Sequence, residues 1–151
     1  MKQTTLCFLM KESEVVLAMK KRGFGAGKWN GVGGKVLPGE LPETAIRREA
    51  TEEIGVVLGK LYHVATLTFS FIEHADWSQV CEVYLATTWE GEPQESEEMA
   101  PQWFNVSEIP YDDMWSDDKY WLPQVLVGKK IKARFTFTSE QELFSHRVEE
   151  V

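Results

Sequence analysis

The stretch GGKVLPGELPETAIRREATEEIGV, which runs from Gly33 to Val56, decides the fold of this chain. Its middle predicts a helix over residues 42–54, because Pro42 suits the first helical turn and Gly55 suits the position after the last one. Apolar residues recur every four positions along this helix, and they predict a face packed against a sheet: Ile46, Ala50 and Ile54.

The same helix carries three glutamates in one narrow arc beside the apolar face: Glu49, Glu52 and Glu53. Like charges at this spacing repel, and carboxylates are disfavoured in the last turn, where the helix dipole is negative. The arrangement costs stability unless a cation offsets it, and oxygen ligands favour Mg²⁺ or Mn²⁺ over zinc. Arg48 can hold one carboxylate in a fixed pose through its planar fork. A solvated acidic helix face is the alternative interpretation.

Strands outnumber helices along the rest of the chain. The pattern of β-branched and aromatic residues predicts strands over 3–10, 14–20, 60–72, 80–88 and 132–138, and a short second helix is predicted over 121–127. A glycine-dense loop over residues 22–35 separates the second strand from the glutamate helix. The fold class is therefore α/β, with a mixed sheet and helices packed on it.

Composition limits the kinds of partner. The chain has 151 residues and a net charge of −8, so we expect one domain over residues 1–151 and no duplex nucleic acid as partner. Its two cysteines, Cys7 and Cys81, are expected to be reduced buried thiols. No apolar stretch approaches the roughly 20 residues that cross a bilayer. We therefore expect a cytoplasmic protein without a membrane partner, and we expect it to be a monomer.

The spacing of the fixed residues in the opening stretch resembles the signature of the Nudix hydrolases. The fixed positions here are Gly34, Glu40, Arg48-Glu49, Glu52-Glu53 and Gly55. The stretches between them contain five, seven, two and one residues, in that order. One departure is Ala50, which stands where a larger aliphatic residue is usual. The resemblance implies the Nudix fold, an α/β/α sandwich around a mixed β-sheet. It also implies Mg²⁺-dependent hydrolysis of a nucleoside diphosphate linked to another moiety, with Mn²⁺ as a possible substitute.

The resemblance also implies roles for particular residues. The glutamates Glu49, Glu52 and Glu53 would hold the metal, the Gly33 carbonyl would approach it, and Arg48 would orient the glutamates. Glu98, in the acidic stretch over residues 91–100, would be a further ligand or a general base. Which glutamate, if any, takes the proton from the attacking water stays open at this stage.

Three further blocks, over residues 19–35, 95–104 and 110–123, resemble the animal-type MutT branch of the family. That branch removes oxidised purine nucleoside triphosphates such as 8-oxo-dGTP and 2-hydroxy-dATP from the nucleotide pool, releasing the monophosphate and pyrophosphate. The resemblance implies a small nucleoside triphosphate as partner. Two alternatives remain: hydrolysis of another nucleoside triphosphate or nucleotide sugar, and a nucleotide-binding Nudix module without turnover.

A purine needs a flat apolar slot and a few polar groups at the base edge. The residues expected to supply them are Trp115 for stacking, Phe24 and Phe69 for the walls, and Asn30, Asp117 and Asp118 for the edge. Lys20 either contacts phosphate or is a surface lysine. If both aspartates reach one pocket, repulsion and burial should keep one of them protonated. Movement of that proton would let one pocket accept oxidised guanine and oxidised adenine.

The stretch between Phe71 and Cys81 departs from the animal-type pattern and is about one residue longer. In the family, this hairpin flanks the base pocket. We therefore expect Trp77 or Gln79 to alter the preference among oxidised bases.

Overall fold

A mixed sheet runs through the centre of the computed structural model, which describes residues 1–139 and 142–151. Its strands, with the two of a separate small pair, are β1 (Lys2–Lys11), β2 (Glu14–Lys20), β3 (Trp29–Asn30), β4 (Val57–Leu58), β5 (Leu61–Phe71), β6 (Gln79–Ala86), β7 (Trp89–Glu90), β8 (Met99–Asn105), β9 (Ile131–Ser139) and β10 (Glu142–Glu150). The two α-helices are α1 (Pro42–Ile54) and α2 (Asp118–Leu126). Short 3₁₀ turns lie at Ala75–Trp77 and Tyr111–Asp113.

Within those residues the main sheet has the order β10-β9-β5-β6-β1-β2-β3, and β8 also pairs with β2. The β1–β6 and β5–β9 pairs are parallel, and the other pairs are antiparallel. Strands β4 and β7 form the separate antiparallel pair. The two parallel pairs make the sheet mixed, as the sequence predicts.

Each face of the sheet carries one helix and one apolar core. Cys7 and Leu9 of β1 point to the face covered by α1, where Ile46, Ala50 and Ile54 are buried. Phe8 points to the opposite face, where it packs with Trp121 of α2 at 6.1 Å between ring centroids. Alternation along one strand therefore supplies both cores, and the predicted α/β/α sandwich is confirmed.

Helix α1 has the predicted bounds, residues 42–54. Pro42 begins it, and Leu41 provides no side-chain cap. Gly55 ends it in the left-handed conformation, with φ of 72°, and its N–H donates to the Thr51 carbonyl at 3.1 Å. A glycine tolerates this conformation without a steric penalty, so the glutamate turn stops sharply next to the sheet.

The second helix begins three residues earlier than the sequence predicts, at Asp118 instead of residue 121, and it ends at Leu126. Asp117 and Asp118, which the sequence analysis expects at the edge of a base pocket, are both buried at this helix start. Strand β10 was not predicted at all, because most of its side chains are exposed and no buried alternation marks it. Strands β3, β4, β7 and β8 were also not predicted.

Both cysteines are buried and free, as expected, and burial raises the pKa of each thiol to about 12. Within the described residues, 1–139 and 142–151, neither helix is long and apolar enough to cross a membrane.

Candidate active site

Arg48 forms hydrogen bonds with three carboxylates, two on α1 and one on the loop before it. Its Nε and Nη2 atoms donate to the two oxygens of Glu40, both at 3.0 Å, in a bidentate pair. Its Nη1 donates to Glu49 at 2.9 Å and to Glu52 at 3.4 Å. Its Nη2 also donates to the Lys35 carbonyl at 3.1 Å. The predicted orienting function of Arg48 thus has a geometric basis, and Glu40, to which sequence analysis gave no function, anchors the guanidinium.

Glu53 lies deepest among the glutamates, with 4% of its surface exposed. Burial above all, with the charges of Glu49 and Glu98, raises the pKa of its carboxyl to about 8, against the opposing effects of a hydrogen bond from the Gly33 N–H and the charge of Lys20. The Gly33 bond measures 2.8 Å from N to Oε1. Lys20 therefore lies close to the glutamates, at the end of β2.

Two glycines allow the loop before α1 to approach its neighbours closely. A Cβ at Gly33 would overlap the backbone carbonyl of Thr5, and a Cβ at Gly34 would lie 2.7 Å from Glu49 Oε1. The loop itself is fixed to β1 by hydrogen bonds from Thr5 N to Gly34 O at 2.8 Å and from Cys7 N to Val32 O at 2.7 Å. The bare backbone at Gly34 leaves space beside the Glu49 carboxylate.

The donor set fits a hard divalent cation. All its side-chain donors are carboxylate oxygens, and the pKa of Glu49 is raised by burial and by the charges of Glu52 and Glu98, against the opposing effect of Arg48. A cation would relieve this crowding of negative charge. Among the described residues, however, no three Asp, Glu, His or Cys side chains converge on one point. Arg48 Nη1 bonds to Glu49 and Glu52, and the Gly33 N–H bonds to Glu53. Glu98 is exposed and lies 3.9 Å from Arg22.

A cavity of about 450 Å³ opens beside the glutamates. Gly33, Gly34 and Lys20 line it at the glutamate end. The sequence-predicted pocket residues also line it: Phe24, Asn30, Phe69, Trp115, Asp117 and Asp118. The predicted base-pocket residues thus line one cavity with Gly33 and Lys20, whereas Glu49, Glu52, Glu53 and Glu98 are not part of its lining.

Aromatic rings form the walls of this cavity. Trp115 packs against Phe24 at 5.1 Å between centroids and against Phe137 at 6.4 Å. Gly25, with φ of 84°, brings the glycine-rich loop against Trp115, and a Cβ there would lie 3.3 Å from the indole. Lys28 lies over the same ring, with its Nζ 5.6 Å from the centroid. Trp115 is therefore available for stacking and is electrostatically tuned by a cation.

The acid pair lies at the start of α2. Asp117 and Asp118 are each 3% exposed, and Trp121 Nε1 donates to Asp117 Oδ2 at 2.8 Å. Burial raises the pKa of both carboxyls, and the charge of Asp117 raises that of Asp118 further. Among the buried side-chain polar atoms of the described residues, Asp118 Oδ2 is without a hydrogen-bond partner. A buried polar atom that lines a cavity is a recognition group for a polar ligand.

Asn30 lies on β3 and accepts a hydrogen bond from the Gly31 N–H at 2.8 Å through Oδ1. Its amide N–H₂ is the part that remains for a ligand. Sequence analysis did not anticipate Lys28 over Trp115 or the hydrogen bond from Trp121 to Asp117. The i, i+4 spacing of Asp117 and Trp121 on a helix is a signal that could have found the second contact.

The fold and the cleft together define a class: an α/β sandwich with a glutamate-rich helix and an aromatic cavity that contains a buried acid pair. The chain belongs to the Nudix family, whose domain model matches residues 2–125. Members of this family generally use divalent metal ions.

Named relatives are similar along nearly the whole chain. An oxidized purine nucleoside triphosphate hydrolase from Danio rerio is 43% identical over 99% of this chain and 96% of its own length. The protein of the same name from Mus musculus is 42% identical over 97% and 94%. A crystal structure of a MutT protein from Bacillus halodurans aligns with a TM-score of 0.88 and 25% identity over 99% of this chain and 98% of that one.

Proposed function

We propose that the chain hydrolyses oxidised purine nucleoside triphosphates, such as 8-oxo-dGTP and 2-hydroxy-dATP, to the monophosphate and pyrophosphate. The observation that carries the proposal is an aromatic pocket with a buried acid pair, lined at one end by Gly33 and Gly34, the glycines that contact Glu53 and Glu49 of the glutamate helix. The similarity to two relatives named for this activity supports it. The cellular consequence would be removal of damaged nucleotides before they enter DNA.

Base recognition is proposed to divide between the walls and the edge. Trp115 and Phe24, which pack on each other, form the wall on the glycine-rich loop side against which the purine stacks, and Phe69 lies on the sheet floor. Asp117, Asp118 and Asn30 exchange hydrogen bonds with the base edge. One aspartate retains its proton because burial and its neighbour's charge penalise the doubly ionised pair. The pair then offers one donor and several acceptors, and relocation of the proton accommodates either oxidised base.

The metal is proposed to be Mg²⁺, with Mn²⁺ as a substitute, held by Glu49, Glu52, Glu53, Glu98 and the Gly33 carbonyl. When bound, it neutralises phosphate charge and activates water. Arg48 keeps Glu49 and Glu52 aligned, and the Gly33 N–H fixes Glu53. Lys20, between the glutamates and the cavity, contacts phosphate. Glu98 is either a further ligand or the base that takes the proton from water.

The setting of the reaction completes the proposal. We infer one catalytic domain over residues 1–151 that acts as a monomer in the cytoplasm. Its partners are small nucleoside triphosphates, and neither duplex nucleic acid nor a membrane is part of the reaction.

A nucleotide panel with Mg²⁺ tests the proposal. The expected result is release of pyrophosphate from 8-oxo-dGTP and 2-hydroxy-dATP with a higher kcat/KM than from dGTP and dATP. Equal rates on oxidised and parent nucleotides would remove the sanitising function and leave the hydrolysis. Absence of pyrophosphate from every nucleotide would contradict both, and nucleotide binding without turnover would then indicate a binding module.

A further inference from the structure

Gln79 is a polar side chain that lines the cavity beside the aromatic residues Phe69, Phe71 and Trp77. It begins β6, and the strand register sets it in one row across the sheet floor with Phe135, Phe69 and Lys2. Gln79, Phe69 and Lys2 line the cavity. Among the described residues that line this cavity, the side-chain amides are those of Asn30 and Gln79. Gln79 thus brings a second amide to the pocket, on a different wall from the first.

Neighbouring residues orient the Gln79 amide. Thr4 Oγ1 donates to Gln79 Oε1 at 2.9 Å, and Gln79 Nε2 donates to the Trp77 carbonyl at 3.4 Å, a long contact. A glutamine amide has two N–H donors and two acceptor lone pairs. These contacts leave one donor and one lone pair of Gln79 for a ligand in the cavity.

The departing hairpin over residues 72–80 supports this wall. Trp77 stacks on His74 at 3.8 Å between centroids, and it packs edge-to-face on Phe71 and on Phe24, both at 5.5 Å. Because Gln79 bonds to the Trp77 carbonyl, the same hairpin positions the amide and closes the aromatic wall over it.

The amide and the acid pair line the same cavity. Cys81, two residues beyond Gln79 on β6, lines it as well, so Gln79 and Cys81 lie on the same face of that strand. A fused bicyclic base whose one edge meets the acid pair presents another edge to the sheet side of the cavity, where Gln79 lies.

We propose that Gln79 is a specificity-determining residue, which donates a hydrogen bond from Nε2 to the added oxygen of an oxidised base, on an edge that the acid pair does not contact. The inference rests on the proposed function. It assigns to Gln79 a preference for purines that carry an added oxygen over the parent purines without it. A site built to form such a bond discriminates strongly against an analogue without it, because the site's amide is then left unpaired.

The test compares Gln79→Met, which removes the amide at similar size, with Gln79→Glu, which retains the shape but replaces the donor. Gln102→Met, an exposed glutamine on β8, is the matched control. The measured quantities are kcat/KM for 8-oxo-dGTP against dGTP and for 2-hydroxy-dATP against dATP. We expect both Gln79 variants to reduce the oxidised-to-parent ratio of at least one pair by about tenfold, and Gln102→Met to leave both ratios unchanged.

Thr4→Val provides a second measurement, since it retains the amide and removes the hydroxyl that orients it. We expect it to reduce the same ratio by a smaller factor, about threefold. Circular dichroism verifies that each variant is folded. Ratios within twofold of wild type in both Gln79 variants would overturn the proposal, and so would an equal loss on oxidised and parent nucleotides, which indicates a structural effect.

Failure of the proposed function gives a different result. Wild-type protein that hydrolyses none of the four nucleotides contradicts the function, and selectivity is then measured by calorimetry as the affinity ratio of each oxidised and parent pair without divalent metal. A ratio unchanged by Gln79→Met overturns the inference alone. Absence of binding to all four nucleotides overturns both.

Discussion

At the scale of single residues, Glu52 is the carboxylate whose replacement should lower the rate of hydrolysis without lowering the stability of the fold. It lies on the glutamate arc, bonds only weakly to Arg48 at 3.4 Å, and its side chain is 59% exposed. We expect Glu52→Gln to reduce kcat by more than about 10²-fold, because a metal-ligand charge is lost, while Tm stays within about 2 °C of wild type.

The control for that variant is Glu43→Gln, an exposed glutamate in the first turn of the same helix. It changes the net charge equally but lies far from the last turn. Steady-state pyrophosphate release and thermal melts of both proteins decide the outcome. Wild-type turnover by Glu52→Gln would refute its assignment as a ligand.

Gly33 and Gly34 differ in what an added methyl group would meet. At Gly33 the methyl overlaps backbone of β1, which cannot yield without disruption of the sheet. At Gly34 it meets the end of the Glu49 side chain, which can rotate away. We expect Gly33→Ala to lower the free energy of unfolding by several kcal/mol, roughly 3 or more, and Gly34→Ala to lower kcat by about tenfold with a smaller stability loss.

Urea unfolding and kcat, measured on both alanine variants, separate the two effects. A Gly34→Ala protein with normal kcat would show that Glu49 need not occupy its observed position. A Gly33→Ala protein as stable as wild type would show that the loop before α1 can move away from β1.

At the scale of elements, the start of α2 makes a contribution to the free energy of folding that depends on pH. The groups that act on Asp118 are Asp117 and Trp121, at the start and within the same helix, and Lys28 on the glycine-rich loop. Burial holds the pKa values of both aspartates above their unfolded values, so the folded state binds more protons than the unfolded state above about pH 4. Stability from this pair is therefore complete at low pH and declines as pH rises through the folded pKa values.

Asp118→Asn removes a carboxyl that is costly to ionise. We expect its Tm, relative to wild type, to increase between pH 4 and pH 8, while its affinity for oxidised purines falls. Asp112→Asn, on an exposed residue nearby, should follow wild type at every pH. A Tm difference that does not vary with pH would contradict the raised pKa, and full affinity for both oxidised substrates would contradict proton relocation in the base pocket.

The elements also show what the sequence could predict. Helix α1 was predictable because three local signals indicate the same helix: Pro42 at its start, Gly55 after its end, and the apolar face through Ala50. The start of α2 was not, because Asp117 and Asp118 are polar residues whose burial depends on a cavity assembled from distant strands. Strand β10 lacks an apolar alternation, since it pairs with β9 at the edge of the sheet and keeps most side chains in water.

The site divides in the same way. The spacing of the signature located the glutamates and Arg48, since those contacts are local to one helix and its preceding loop. The link from Thr4 to Gln79 joins residues 75 positions apart, and no local pattern encodes such a contact. The proposed selectivity of the pocket depends on a long-range contact of this kind.

At the scale of the whole molecule, part of the net charge of −8 comes from acidic residues of the proposed site. Four glutamates of the proposed metal site and the two aspartates of the base edge are among the 24 acidic residues. Such concentration of charge destabilises the apo protein through self-repulsion. A divalent cation that binds only the folded protein should therefore stabilise the whole molecule.

We expect Mg²⁺ to raise Tm by roughly 5–10 °C at about 100 times its Kd, from the free energy of binding and the entropy of unfolding of a chain this long. The Glu49→Gln, Glu52→Gln double variant should lose most of that increase, because two ligand charges are gone. KCl at matched ionic strength measures simple screening, which should act on both proteins similarly. An equal Mg²⁺ shift in both proteins would mean that the cation binds elsewhere, since only the glutamate helix differs between them.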